Sequence, residues 1–183
     1  LITPSLGFAN TYVYEDQQSI SNELAERTKL KACELRGDDL YKLTIMRQEG
    51  ISQPDVNKEG SRLFSNISDR LMDSLIEETK NILPKEFWND QNLELFREMV
   101  LTTGDENLYA SSVDTLFKRP IFPLRKWQEE EAQKVKDKRI DVCTSMRMPE
   151  EVKAVFDEFI NQSFSYLLYS PHHLKSHSIP IYI

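Results

Sequence analysis

The stretch Ser61–Leu83, SRLFSNISDRLMDSLIEETKNIL, decides the class of fold. Phe64, Ile67, Leu71, Leu75 and Ile82 recur at intervals of three, four, four and seven, and Leu63, Met72, Ile76 and Leu83 widen the stripe. That spacing predicts one amphipathic helix buried on a single side. Pro84 then suits the first position of a second helix, with Phe87, Trp88, Leu93, Phe96, Met99 and Val100 as its apolar face and Gly104 as its end. The short link between the two predicts a helix hairpin.

Working outward, Asp105 is placed to cap a short helix whose Tyr109, Val113, Leu116 and Phe117 share a face, and Pro120 ends it by disfavouring the α region at Arg119. Pro149 begins a last helix with Val152, Val155, Phe156, Phe159, Ile160 and Leu167 on one side. Toward the N-terminus, residues 17–48 read as helix through Leu24, Thr28 and Leu35, interrupted at Gly37 and restarted by Asp38 or Asp39 through Leu40 and Leu43. The glycines, proline and polar residues of EGISQPDVNKEG (49–60) read as a loop.

The sum is an all-α protein, an irregular bundle of about five or six helices over residues 17–170, with loops near 50–60 and 118–123. Extended apolar arms are expected at 1–16, where LITPSLGFANTYVY carries no charge, and at 171–183, where Pro180 would confine HSIPIYI to a sheet edge.

Bulk properties narrow the function classes. A chain of 183 residues can bury roughly 70 % of its unfolded surface in one core. Its formal charge of -7 repels phosphate backbones and anionic lipid. The dense basic cluster Lys134, Lys136, Lys138 and Arg139 follows Glu129, Glu130 and Glu131, which partly cancel its field. It nevertheless keeps a nucleic-acid-associated subunit as an alternative. Cys33 and Cys143 stand far apart without a CxxC, so neither a disulfide framework nor a zinc knuckle is indicated, and a reducing compartment, nucleus or cytoplasm, is expected. No apolar run reaches the length of a membrane span.

Chemistry is sparse. Pro54-Asp55 followed by Glu78-Thr79-Lys80 spells a literal PD-(D/E)xK pattern, in which acidic groups hold a divalent metal and the lysine polarises water. In nucleases with that motif the Glu and Lys alternate on a strand. Here they sit in a helical stretch, where residues two apart do not face one another, so a nuclease is disfavoured. His172, His173 and His177 lie in a proline- and serine-rich tail with no cysteine or Glu-x-x-His nearby, and they predict no metal site. Neither a P-loop nor a GxSxG elbow occurs. The expectation is therefore no enzyme, no cofactor and no small-molecule substrate.

Two sets of residues are expected to meet partner proteins. Pro120, Phe122, Pro123, Arg125 and Trp127 belong to RPIFPLRKW, which matches the PxxPx-basic pattern of polyproline ligands. The favoured reading, however, is a turn that docks Ile121 and Phe122 onto the core, since bulky apolar residues between the prolines suit packing better than an exposed ligand. Trp127 opens a helix whose apolar seam, Leu124, Trp127 and Val135, is interrupted by Glu131, so that helix is weakly anchored. Phe164, Leu168 and Tyr169 form the second set. They leave the azimuth of Phe156 and Phe159, and a helix that is apolar nearly all round must be covered on both sides. These features together predict a scaffold or interaction subunit of a larger assembly.

Overall fold

The computed structural model describes the backbone of residues 6–101 and 108–168, and the side chains of residues 16–101 and 109–165. Seven helices and no strand occur among the described residues: α1 (Leu6–Gln48), α2 (Gln53–Ser65), α3 (Ile67–Glu78), α4 (Asp90–Met99), α5 (Leu108–Leu116), α6 (Arg125–Ser145) and α7 (Glu150–Leu168). The protein is all-α. The C-terminal tail expected at 171–183, with its histidines, lies outside the described residues, as do Tyr169, Gly104 and the Asp105 cap. The N-terminal arm expected at 1–16 is outside them at 1–5 and helical from Leu6.

The chain groups into two compact units. One holds 1–28, 75–102 and 148–183, and the other holds 29–74 and 103–147. In the first unit α4 packs on α7. Phe87, Phe96 and Phe159 are wholly buried there and meet edge to face, with Phe87 to Phe159 at 5.8 Å and Phe96 to Phe159 at 4.9 Å between ring centres. Such tilted ring pairs exploit the aromatic quadrupole as well as the area buried. The Trp88 indole N–H donates to Thr79 Oγ1 at 2.9 Å, so the polar end of the ring is satisfied. Val152, expected on the buried face of α7, is instead exposed.

In the second unit α2 packs on α5, and Leu40, Leu43, Val56, Leu63, Tyr109, Val113 and Leu116 form the core. The expected loop at 50–60 is in fact mostly α2. Ser52 is its N-cap, accepting from the Asp55 N–H at 3.4 Å, Pro54 stands in the first turn, and Asp55 lies close to the positive end of the helix dipole. Residues that resemble a loop by composition are here the start signals of a helix.

The single helix expected over 61–83 divides at Asn66, between α2 and α3. Arg70 occupies the break. Its guanidinium donates to Leu63 O at 2.7 Å, satisfying a carbonyl that the end of α2 leaves without an intrahelical partner, and to Asn66 Oδ1 at 2.9 Å. Pro84 does not open a helix either. It sits in a turn with the Phe87 N–H bonded to its carbonyl, and α4 starts later with Asn89 as cap, accepting from the Asn92 N–H at 2.9 Å.

Gly37 does not interrupt α1, which runs unbroken to Gln48. The buried positions fall in two runs of helical spacing, Ser21, Leu24 and Thr28, then Cys33, Gly37, Leu40, Thr44 and Gln48, separated by a step of five that shifts the buried face. Thr28 and Thr44 tolerate burial because their hydroxyls donate to Leu24 O at 2.7 Å and Leu40 O at 2.6 Å. At Gly37 the reason for glycine is close approach, since a Cβ there would stand 2.6 Å from Ile140 Cγ1 on α6.

Cys33 and Cys143 are joined as a disulfide between α1 and α6, 110 residues apart in the chain. This corrects the expectation of separate thiols: a large sequence separation says nothing about distance once two helices cross. The reducing compartment inferred from unpaired cysteines loses its premise, because disulfides persist chiefly in oxidising ones. No helix among the described residues is long and apolar enough to cross a membrane.

Candidate partner-binding surface

The segment from Arg119 to Trp127 is held from beneath by the end of α1. Gln48, itself buried, reads the backbone in both directions. Its side-chain N–H donates to Pro120 O at 2.9 Å and its Oε1 accepts from the Phe122 N–H at 2.8 Å. Gln128 adds a bond from Nε2 to Phe122 O at 2.7 Å, and Arg47 donates to Arg119 O at 3.2 Å while its guanidinium lies 4.5 Å from the centre of the Phe117 ring. Side chains of the same chain therefore engage three carbonyls and one N–H of the segment.

That commitment changes how the expected residues present themselves. Phe122 is half-buried, and Pro120 and Pro123 are exposed. Arg125 is the first residue of α6 and donates to Glu49 at 2.8 Å and Glu129 at 3.2 Å, so its charge is shared between two carboxylates. Both bonds hold the guanidinium in its charged form, the one to Glu49 most strongly. Ile121, expected to dock on the core beside Phe122, points outward. With Ile121 45 %, Leu124 52 % and Trp127 44 % exposed, three large apolar side chains lie in solvent within seven residues.

The helix behind them is poorly served by its own ends. Leu124 offers α6 no side-chain cap, and Arg125 and Lys126 place positive charge at the end of the helix that favours negative charge. Its anchors are tertiary. Glu131, 4 % exposed, takes a bidentate bond from Arg119, with Nη2 to Oε1 at 3.0 Å. That bond holds the Glu131 carboxyl below the usual carboxylate range against the opposing effect of burial, and it raises Arg119 in turn. Lys136 pairs with Asp38 at 2.6 Å, and Cys143 ends the series in the disulfide. Glu131, which reads as an interruption of an apolar seam, is the polar anchor of the helix.

Phe164, of the second expected set, belongs to the other unit. It is half-buried on α7 with its ring centre 5.6 Å from that of Phe87. This contact gives the residue a packing role whatever else it meets. Leu168 is the last residue of α7.

The residues of the nuclease-like pattern are engaged elsewhere. Asp55 lies in the first turn of α2, Glu78 receives Arg27 at 3.4 Å, and Lys80 pairs with Glu77 at 2.7 Å. Among the described residues no group of three or more His, Cys, Asp or Glu side chains is placed to hold a metal ion.

Sequence reading misses two features outright. Gln48 is one, because a glutamine at the end of a charged helix carries no local sign that it will grip a loop 72 residues away. The other is Asp39, expected as a helix cap. It is buried inside α1, where it accepts from both Arg70 nitrogens at 2.9 Å and from the Tyr109 hydroxyl at 2.7 Å. Burial first and the Asp39 bond second push the Tyr109 phenol far above its ordinary value, so it stays a donor.

Comparison of the chain with protein-family models, with curated proteins and with solved structures found no match.

Proposed function

We propose that this chain is a non-enzymatic interaction subunit of a larger assembly, meeting a partner protein through the surface formed by Ile121, Leu124 and Trp127. The observation that carries the reading is the pairing of exposure with rigidity. Three large apolar side chains, each about half exposed, stand on or beside a backbone fixed by Gln48, Gln128 and Arg47. Ordering side chains and loops is one of the principal costs of association, and a segment already ordered avoids much of it. Tryptophan in a preformed patch is among the residues most enriched at energetic centres of interfaces.

The polyproline-ligand variant of this reading is the weaker one. A receptor for such ligands reads an extended backbone and a free arginine. Here the backbone of Pro120 and Phe122 faces Gln48 and Gln128, and Arg125 is held by Glu49 and Glu129.

The test is site-specific photo-crosslinking in the source cells. A benzophenone side chain at position 127 should yield a discrete protein adduct that the same group at exposed Lys58 does not. No adduct at 127, or the same products from both positions, overturns the proposal.

A further inference from the structure

A second surface of the same unit is shaped and charged differently. Between α5 and α6, with α1 as its floor, lies a cavity of about 200 Å³. Leu40, Leu116, Val135 and Val142 line it with aliphatic surface, and Lys138 and Arg139 stand at its side. No carboxylate lines it. Neither cation is engaged by a carboxylate among the described residues, whereas Lys136 in the same cluster is tied to Asp38 and Arg119 to Glu131. On a chain of net charge -7, two unpaired cations beside an apolar groove form a local inversion of the surface field.

We propose that this groove binds a short acidic segment of a protein partner, an apolar side chain seated on Leu40, Leu116, Val135 and Val142 and its carboxylates facing Lys138 and Arg139. The inference rests on the reading of the chain as a protein-binding subunit and assigns that partner a chemistry. Charge complementarity selects an anion, and the lining selects among anions. A single-stranded nucleic acid would need aromatic faces for its bases, and the groove, lined otherwise by Ser112, Thr115 and Arg119, offers none. A phosphate backbone would also meet the repulsion of the whole chain, whereas a peptide with a few carboxylates meets mainly the local field.

The probe is a fluorescein-labelled synthetic peptide with leucines at helical i, i+4 spacing and glutamates between them, titrated with the full chain and followed by anisotropy. Saturable binding is expected. Lys138→Glu should weaken it by about tenfold or more, as loss and reversal of a facing charge does at interfaces. Val142→Asp should weaken it similarly by placing a like charge in the groove. A peptide with lysines for the glutamates should recover affinity for Lys138→Glu, which separates a charge contact from misfolding. Labelled single-stranded DNA should not bind, and Trp127→Ala should leave peptide affinity unchanged.

Absence of peptide binding, equal binding by Lys138→Glu, or displacement of the peptide by DNA overturns the groove assignment. Loss of peptide binding on Trp127→Ala with Lys138→Glu unaffected also overturns it and leaves the Trp127 surface standing. Peptide binding in the groove with no crosslink at position 127 removes the Trp127 surface alone.

Discussion

Asp39 shows how one buried charge organises its surroundings. Its two oxygens accept from Arg70 and Tyr109, and Arg70 in turn satisfies Leu63 O at the end of α2, so a single carboxylate supports both a helix break and the seating of α5. Removing one member of such a group leaves the others buried without partners. Asp39→Ala should lower unfolding free energy by about 3 kcal/mol or more, and Tyr109→Phe by about 1 kcal/mol, both read from denaturant midpoints. Equal, small effects would show that water replaces the lost partner. Two glycines offer a sharper contrast. Gly37→Ala drives a Cβ to 2.6 Å from Ile140 and should cost about 1–3 kcal/mol, with Ile140→Ala recovering part of the loss. Gly60→Ala meets nothing nearer than Tyr109 Cβ at 3.4 Å and Leu43 Cδ1 at 3.6 Å and should be near neutral, since the entropic gain of alanine in a helix offsets mild contacts.

Helix α6 is the element least explained by its own residues. Its first turn is cationic and uncapped, and its buried residues are only Glu131, Ala132 and Cys143. Its stability is therefore tertiary and should respond to two independent treatments. Replacing Cys33 and Cys143 by serine should cost about 2–4 kcal/mol through the long loop the disulfide closes, and hydrogen exchange should quicken mainly toward the C-terminal end of α6. Uniform exchange along the helix would show that the disulfide is not its anchor. At the other end, the Glu131 carboxyl is held below its usual value of 4.5 by Arg119. A carboxylate depressed in the folded state contributes stability that is complete above the unfolded value and lost as pH falls through the folded one. Wild type should thus lose more stability on acidification below about pH 4.5 than Glu131→Gln does. Parallel acid profiles for the two proteins would discount the ion pair.

The whole molecule contains two units with differently built cores, an aromatic one with Phe87, Phe96 and Phe159 and a mainly aliphatic one with Leu40, Leu43, Val56, Leu63 and Val113. Phe159→Ala should cost about 3–5 kcal/mol and should raise hydrogen exchange in α4 and α7 more than in α2 and α5; equal loss in all four helices would mean that the units unfold as one. The amino-acid order by itself determined the all-helical class and the buried faces of α5 and α7 at Tyr109, Val113, Leu116, Phe156, Phe159 and Ile160, because apolar spacing near 3.6 is a property of one local segment. It also singled out Trp127 as a large exposed side chain, but its reading of α6 as weakly anchored missed the Arg119–Glu131 and Lys136–Asp38 pairs and the disulfide that hold the helix. It misread 50–60, Gly37 and the 61–83 stripe, where Ser52 caps a helix whose first turn holds Pro54 and Asp55, where Gly37 permits a close contact, and where Arg70 rather than a local signal divides the helix. Only the tertiary structure decided that Cys33 meets Cys143, that Gln48 holds the Pro120 segment, and that Lys138 and Arg139 border an apolar groove. Each of those pairings joins residues far apart in the chain, and local spacing carries no information about which helix faces will meet.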